Sequence, residues 1–186
     1  MKKIWLKNYP KGVNESVNLN QYPTFADFFE ETFDKFPNSV AFENMGKSIK
    51  YKELDILSQN FALYLTEELK LQKGDRLAIQ SPNILHYPIA LFAALRSGII
   101  VVNTNPLYTP SEMSDQFKDS GCKAILILSN LVHNLEKIIY ETKIKHVIIA
   151  YREDILDDPK DNIKNFDVKY VKKMLPKFSI SSTISF

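Results

Sequence analysis

Apolar positions first fall into a helical rhythm. Phe25, Phe28, Phe29, Phe33 and Phe36 recur at spacings close to i, i+3, i+4, i+8 and i+11, which predicts a helix that buries a five-Phe stripe. Thr24 can cap it, Asp27 puts negative charge where the helix dipole favours it, and Pro37 stops it. Two short apolar runs at residues 40–43 and 48–51 flank N-M-G-K and predict a hairpin. Residues 52–69 then place Leu54, Leu57, Phe61, Leu65 and Leu69 on one face of an amphipathic helix. The polar stretch before Tyr22 is expected to be an extended lead-in, with Trp5 and Tyr9 as anchors.

From Lys73 the pattern alternates between apolar strands and helices. Strands are predicted at 76–81, 99–104, 123–128 and 145–150, and helices at 84–97, 110–120 and 131–142. The centre is the stretch 87–110. Between Tyr87 and Leu95 the only side chain able to hydrogen-bond is the Tyr87 hydroxyl, so this helix has no face to give to water. Pro88 must sit in its first turn, and Gly98 can adopt the left-handed backbone that ends it. Ile99, Ile100, Val101 and Val102 follow without a polar break, which predicts a strand covered on both faces. Thr109, Pro110 and Glu112 open the next helix.

Strands joined by helical crossovers imply a doubly wound α/β fold with a mainly parallel sheet. Residues 73–150 form that core. Residues 1–72 supply an N-terminal extension, the hairpin and amphipathic helices packed on it. Residues 151–186 form an acidic, then basic segment that is expected to lead into further sequence, because S-I-S-S-T-I-S-F closes nothing.

Composition narrows the function classes. The chain has 186 residues, 45% hydrophobic, and a formal net charge of +2, so it carries no general affinity for nucleic acid. One cysteine, Cys122, excludes an internal disulfide and fits a reducing compartment. There is no secretory signal and no apolar run of spanning length, so a cytoplasmic location is expected. Within 163–178, Ile163, Phe166, Tyr170, Val171, Met174 and Phe178 share a helical face among five lysines of the flanking stretch. That stripe can pack on protein or touch the inner face of a membrane peripherally.

Ligands of doubly wound sheets bind beyond the carboxyl ends of the strands. The candidates there are Asn103, Asn105, Ser129 and Asn130, with Thr104 between the first two. The asparagines can hydrogen-bond a ligand, or equally satisfy the backbone of their turn. No glycine-rich phosphate cradle is present, since the five glycines are scattered singly. His86, His133 and His146 lack metal-ligand spacing, and no nucleophile has a base nearby in sequence. No catalytic and no metal-binding residue is assigned.

Several blocks together carry a resemblance. Residues 94–113, A-L-R-S-G-I-I-V-V-N-T-N-P-L-Y-T-P-S-E-M, resemble the bacterial long-chain fatty-acid–CoA ligases of the acyl-adenylate-forming superfamily. I-K-Y-K-E-L at 49–54 and K-G-D-R-L-A-I-Q-S-P-N at 73–83 are similar to further blocks of that family. K-K-I-W-L-K-N-Y-P near the start and V-K-Y-V-K-K-M-L-P-K-F at 168–178 resemble its long-chain bacterial branch.

The resemblance implies an N-terminal part of an enzyme that uses ATP, Mg²⁺ and CoA to convert a long-chain fatty acid to its thioester through an acyl-adenylate. The family's Ser/Thr/Gly-rich loop ending in Lys, its Thr-Glu motif and its C-terminal catalytic Lys do not occur before Phe186. The chain alone is therefore expected to be inactive, to hold no cofactor tightly and to self-associate through uncovered apolar surface. The alternative is a non-catalytic α/β binding or interaction module, with a membrane-surface role for residues 163–178.

Overall fold

A computed structural model describes residues 2–18, 20–151, 180 and 183–186. The acidic run and the basic stripe at 163–178 lie outside the described residues.

The lead-in forms one 3₁₀ turn over Ile4–Asn8 rather than an extended strap. Trp5 and Tyr9 are exposed, so neither anchors it. Helix α1 (Phe25–Lys35) begins in a reciprocal box, in which the Asp27 amide donates to Thr24 Oγ1 at 3.2 Å. The Thr24 amide in turn donates to the Asp27 carboxylate at 2.8 Å. Only Phe29 and Phe33 of the five-Phe stripe are buried, against Phe92 with ring centroids 4.9 and 5.4 Å away. Phe25, Phe28 and Phe36 face outward, because the neighbours of α1 cover a narrower strip than the stripe spans.

Strands β1 (Val40–Asn44) and β2 (Lys47–Lys50) pair antiparallel. Met45 and Gly46 both have positive φ, as a two-residue mirror-image turn requires. Tyr51 belongs not to the hairpin but to helix α2 (Tyr51–Leu63), which continues as a π turn over Tyr64–Glu68. There the Leu69 amide reaches back to the Tyr64 carbonyl at 3.1 Å. The buried face of this helical stretch is Leu54, Ser58, Ala62, Leu65 and Leu69. Leu57, expected in the core, is exposed, and Ser58 takes the buried place because small residues let a neighbouring helix approach.

That neighbour is α3 (His86–Arg96), whose residues from 84 to 99 are all buried or half-buried. Its end is a complete Schellman motif. The Ile99 amide bonds the Ala94 carbonyl at 2.9 Å and the Gly98 amide bonds Leu95 at 3.1 Å, with Gly98 at φ +67°. Near that end Arg96, 11% exposed at its side chain, donates to Asp55 of α2 at 2.7 Å and to Ser58 Oγ at 3.1 Å. It also pairs with Glu30 of α1 at 3.5 Å and lies 5.3 Å from the Phe29 ring centre.

The sheet comprises β3 (Arg76–Gln80), β4 (Ile100–Asn103), β5 (Ala124–Leu128), β6 (His146–Ala150) and β7 (Thr183–Ser185). All neighbours are parallel, in the order β4-β3-β5-β6-β7. Alternate residues of β5 serve opposite faces. Ala124, Leu126 and Leu128 pack with α2 and α3, and Ile125 and Ile127 pack under α4 (Pro110–Ser120) and α5 (Val132–Glu136). Helices on both faces and a reversal of strand order at β3 make the fold doubly wound, as expected.

Three local expectations are corrected. The strand after α3 is the edge of this sheet among the described residues, with Ile100 and Asn103 exposed, because β3 rather than β4 takes the next strand. The helix expected at 131–142 is one α turn between 3₁₀ turns at Ser129–Leu131 and Ile139–Glu141. The last residues contain a fifth parallel strand, and Phe186 packs 4.8 Å from the Phe61 ring and 5.0 Å from His86.

Candidate functional site at the carboxyl ends of the strands

The reversal of strand order places the switch point between the carboxyl ends of β3 and β5, where Gln80 pairs in register with Ile127. The four sequence candidates divide around it. Asn103 and Asn105 follow β4 on one side, and Ser129 and Asn130 follow β5 on the other. Two strand spacings, about 10 Å, separate the two pairs across β3.

The loop 103–105 is pinned from four directions. The Tyr87 hydroxyl donates to Asn103 Oδ1 at 3.0 Å, and Gln116 Nε2 of α4 donates to the Asn103 carbonyl at 3.1 Å. Gln80 Nε2 donates to the Asn105 carbonyl at 3.2 Å, and the buried Thr104 gives its amide to the Ile79 carbonyl at 3.0 Å. Asn105 Oδ1 accepts the Leu107 amide at 3.0 Å, which closes an Asx turn. Both asparagine side-chain oxygens are therefore already engaged, one by Tyr87 of α3 and one by the loop's own backbone. Ser129 is buried at the start of its 3₁₀ turn, and the Asn130 carbonyl shares a hydrogen bond with His133 Nδ1 at 3.0 Å.

What remains available is a set of amide oxygens. Gln80 Oε1, Gln116 Oε1 and Asn130 Oδ1 are buried without a hydrogen-bond partner among the described residues. Each keeps its acceptor capacity unused inside the fold. Gln80 is 1% exposed, and sequence reasoning passed over both glutamines. The one available signal was a Gln closing the otherwise apolar strand R-L-A-I-Q.

None of the chain's glycines lies at these ends. Gly74, Gly98 and Gly121, all with positive φ, lie two or three residues before β3, β4 and β5, at the opposite pole of the sheet. The N-terminus of α4 is already filled by its own Glu112. That carboxylate accepts the Thr109 amide and hydroxyl at 2.8 Å each, which holds its pKa below the ordinary value. Among the described residues no three His, Cys, Asp or Glu side chains converge as metal ligands, and no helix is long and apolar enough to cross a membrane. Cys122 is buried beside Ser120 Oγ at 3.2 Å, and burial raises its pKa, which fits a packing role.

Comparison with known proteins gives this geometry its context. The chain is 45% identical over all 186 residues to a long-chain-fatty-acid–CoA ligase of Escherichia coli, of which it covers 33%. It is 32% identical over 162 residues, 86% of its length, to the Bacillus subtilis protein of the same name, and covers 28% of that protein. The chain thus spans about a third of the length of these curated relatives, matching their N-terminal part.

Among solved structures, a benzoate CoA ligase from Burkholderia xenovorans superposes with a TM-score of 0.65 at 22% identity. That match covers 69% of this chain and 26% of that one. A long-chain-fatty-acid-CoA ligase from Archaeoglobus fulgidus gives 0.61 at 21% identity, covering 67% and 26%. These likenesses show the fold, that of the N-terminal subdomain of adenylate-forming enzymes. Residues 29–178 match the AMP-binding enzyme family, and the chain belongs to that family.

Proposed function

We propose that the chain serves as the N-terminal part of a long-chain fatty-acid–CoA ligase, a protein that joins a long-chain fatty acid to CoA at the expense of ATP. The supporting observation is the 45% identity along all 186 residues to proteins of that name. In this reading the parallel sheet is the platform of the enzyme. The 103–105 loop, braced by Gln80, Gln116 and Tyr87, is a rigid wall of the site. The phosphates of ATP and the Mg²⁺ are held by other parts of the enzyme. The chain on its own is inactive. It acts in the cytoplasm, at the inner face of the membrane where its fatty acid arrives. Exposed Phe25, Phe28, Ile100 and Leu107 support self-association of the isolated chain.

The test is an exchange of parts. Residues 1–186 replace the matching third of the Escherichia coli ligase, and thioester formation from palmitate, ATP and CoA is measured. Activity within about tenfold of the parent is expected, a loss of about 1.4 kcal/mol in transition-state stabilisation. A folded chimera without activity argues against the proposal. Fatty-acid-dependent ATP–pyrophosphate exchange by the isolated 186 residues would overturn the claim that it is inactive alone.

A further inference from the structure

The amino pole of the sheet holds a groove that the ligase reading does not use. Its volume is about 520 Å³, within the range of sites that hold small ligands. The strand entrances of β3, β5 and β6 and the last turn of α4 meet there, and they contribute Arg76, Lys118, Lys123, Lys143 and Lys145. Among the described residues its wall carries one acidic side chain, Asp119.

Two of these cations are fixed from behind. Lys123 pairs with Asp75 at 2.6 Å, and Asp75 is itself held by the Gln72 amide at 2.9 Å. Lys118 pairs with Glu141 at 2.6 Å, and Glu141 also accepts the Ser114 hydroxyl at 3.1 Å. Arg76, Lys143 and Lys145 make no ion pair within 4 Å among the described residues, although the Arg76 charge also acts on Asp75, so the five cations of the wall stand against Asp119, Asp75 and Glu141. The surplus matches an anion of about two charges, and an arginine among lysines suits the oxygens of a phosphate. The burial and Lys145 charge that lower the pKa of the adjacent His146 are consistent with a positive local field.

We propose that this groove binds a phosphate monoester dianion, at the pole of the sheet opposite the carboxyl-end crevice. The ester is borne either by a soluble metabolite or by a phosphatidic acid headgroup. Arg76 supplies the planar, two-pronged contact, and Lys143 and Lys145 supply charge from the β6 entrance. The proposal does not depend on the ligase reading, because none of these residues lies at the carboxyl ends.

The test uses the full chain. Amide chemical shifts are followed during titration with glycerol 3-phosphate, and sedimentation is measured with phosphatidylcholine vesicles with and without phosphatidic acid. Saturable shifts at residues 118–123 and 143–146 with the soluble ester support the metabolite source. Sedimentation only with phosphatidic acid supports the lipid source. In either arm K143Q/K145Q and, separately, Arg76→Gln should weaken binding about tenfold each, and Arg76→Lys should recover only part of the loss. K35Q/K52Q, changed on another face, should bind as the parent does. The proposal fails if neither probe binds saturably, or if folded K143Q/K145Q and Arg76→Gln bind undiminished.

Discussion

The two poles of the parallel sheet are built from opposite materials. At the carboxyl pole, amide side chains turn inward and their hydrogen bonds go to backbone carbonyls of the 103–105 loop. At the amino pole the chain enters β3, β4 and β5 just after glycines with left-handed backbone, and long cations project outward between them. The first pole is shaped by hydrogen bonds of 3.0 to 3.2 Å that leave acceptors unfilled, and the second by exposed charge. The contrast follows from chain direction. A strand's departing loop is free to vary, whereas its entrance must reverse a helix within two or three residues, which is where positive φ is needed.

Three substitutions break this comparison by decreasing amounts. Gln80→Ala should cost the most, about 2–3 kcal/mol by urea denaturation, because it leaves the Asn105 carbonyl unbonded and opens a gap beside β5. Gly98→Ala at the other pole should cost about 1–2 kcal/mol. Its Cβ would lie 2.9 Å from Lys73 Cγ on a backbone that L-residues resist.

Asp75→Asn should cost least, about 0.5–1 kcal/mol near neutral pH, since Lys123 is half exposed. Its effect carries a pH signature. The hydrogen bond from Lys123, and then that from the Gln72 amide, hold the Asp75 carboxyl below its ordinary value of 3.8. A depressed carboxylate stabilises the fold above that value and loses the contribution as pH falls through its lower folded value. The difference between parent and Asp75→Asn should therefore shrink from about pH 4 downward. A difference that stays constant to pH 2 would place the effect in packing instead of charge.

Local signals in the sequence translated well where a few neighbouring residues decide the outcome. T-F-A-D and T-P-S-E became capped helix starts, and R-S-G-I became the Schellman end of α3. What the sequence left hidden depends on distant partners. The run from Ile99 to Val102 is apolar enough for a central strand, but nothing in it says that β3 turns its other edge to β5. Leu57 and Ser58 exchange places because α3 presses on α2 along a line that hydrophobicity does not mark.

The strand Thr183–Ser185 is too short and polar to announce itself. Of the candidate site, the position at the strand ends was legible. The bracing by Gln80 and Gln116 was not, because the two glutamines are 36 positions apart and meet only across the loop they both hold. The five groove cations are spread over seventy residues, and their common signature is a place at a strand entrance or a helix end.

Arg96 gives the front of the molecule a mechanical character. One guanidinium, 11% exposed, is gripped by α2 through Asp55 and Ser58 and by α1 through Glu30, with the Phe29 ring beside it. Neither helix can slide along α3 without breaking bonds to the same group, so a shear of one is resisted by the attachment of the other. The one guanidinium ties α1, α2 and α3 at a single point, a rivet for the front layer.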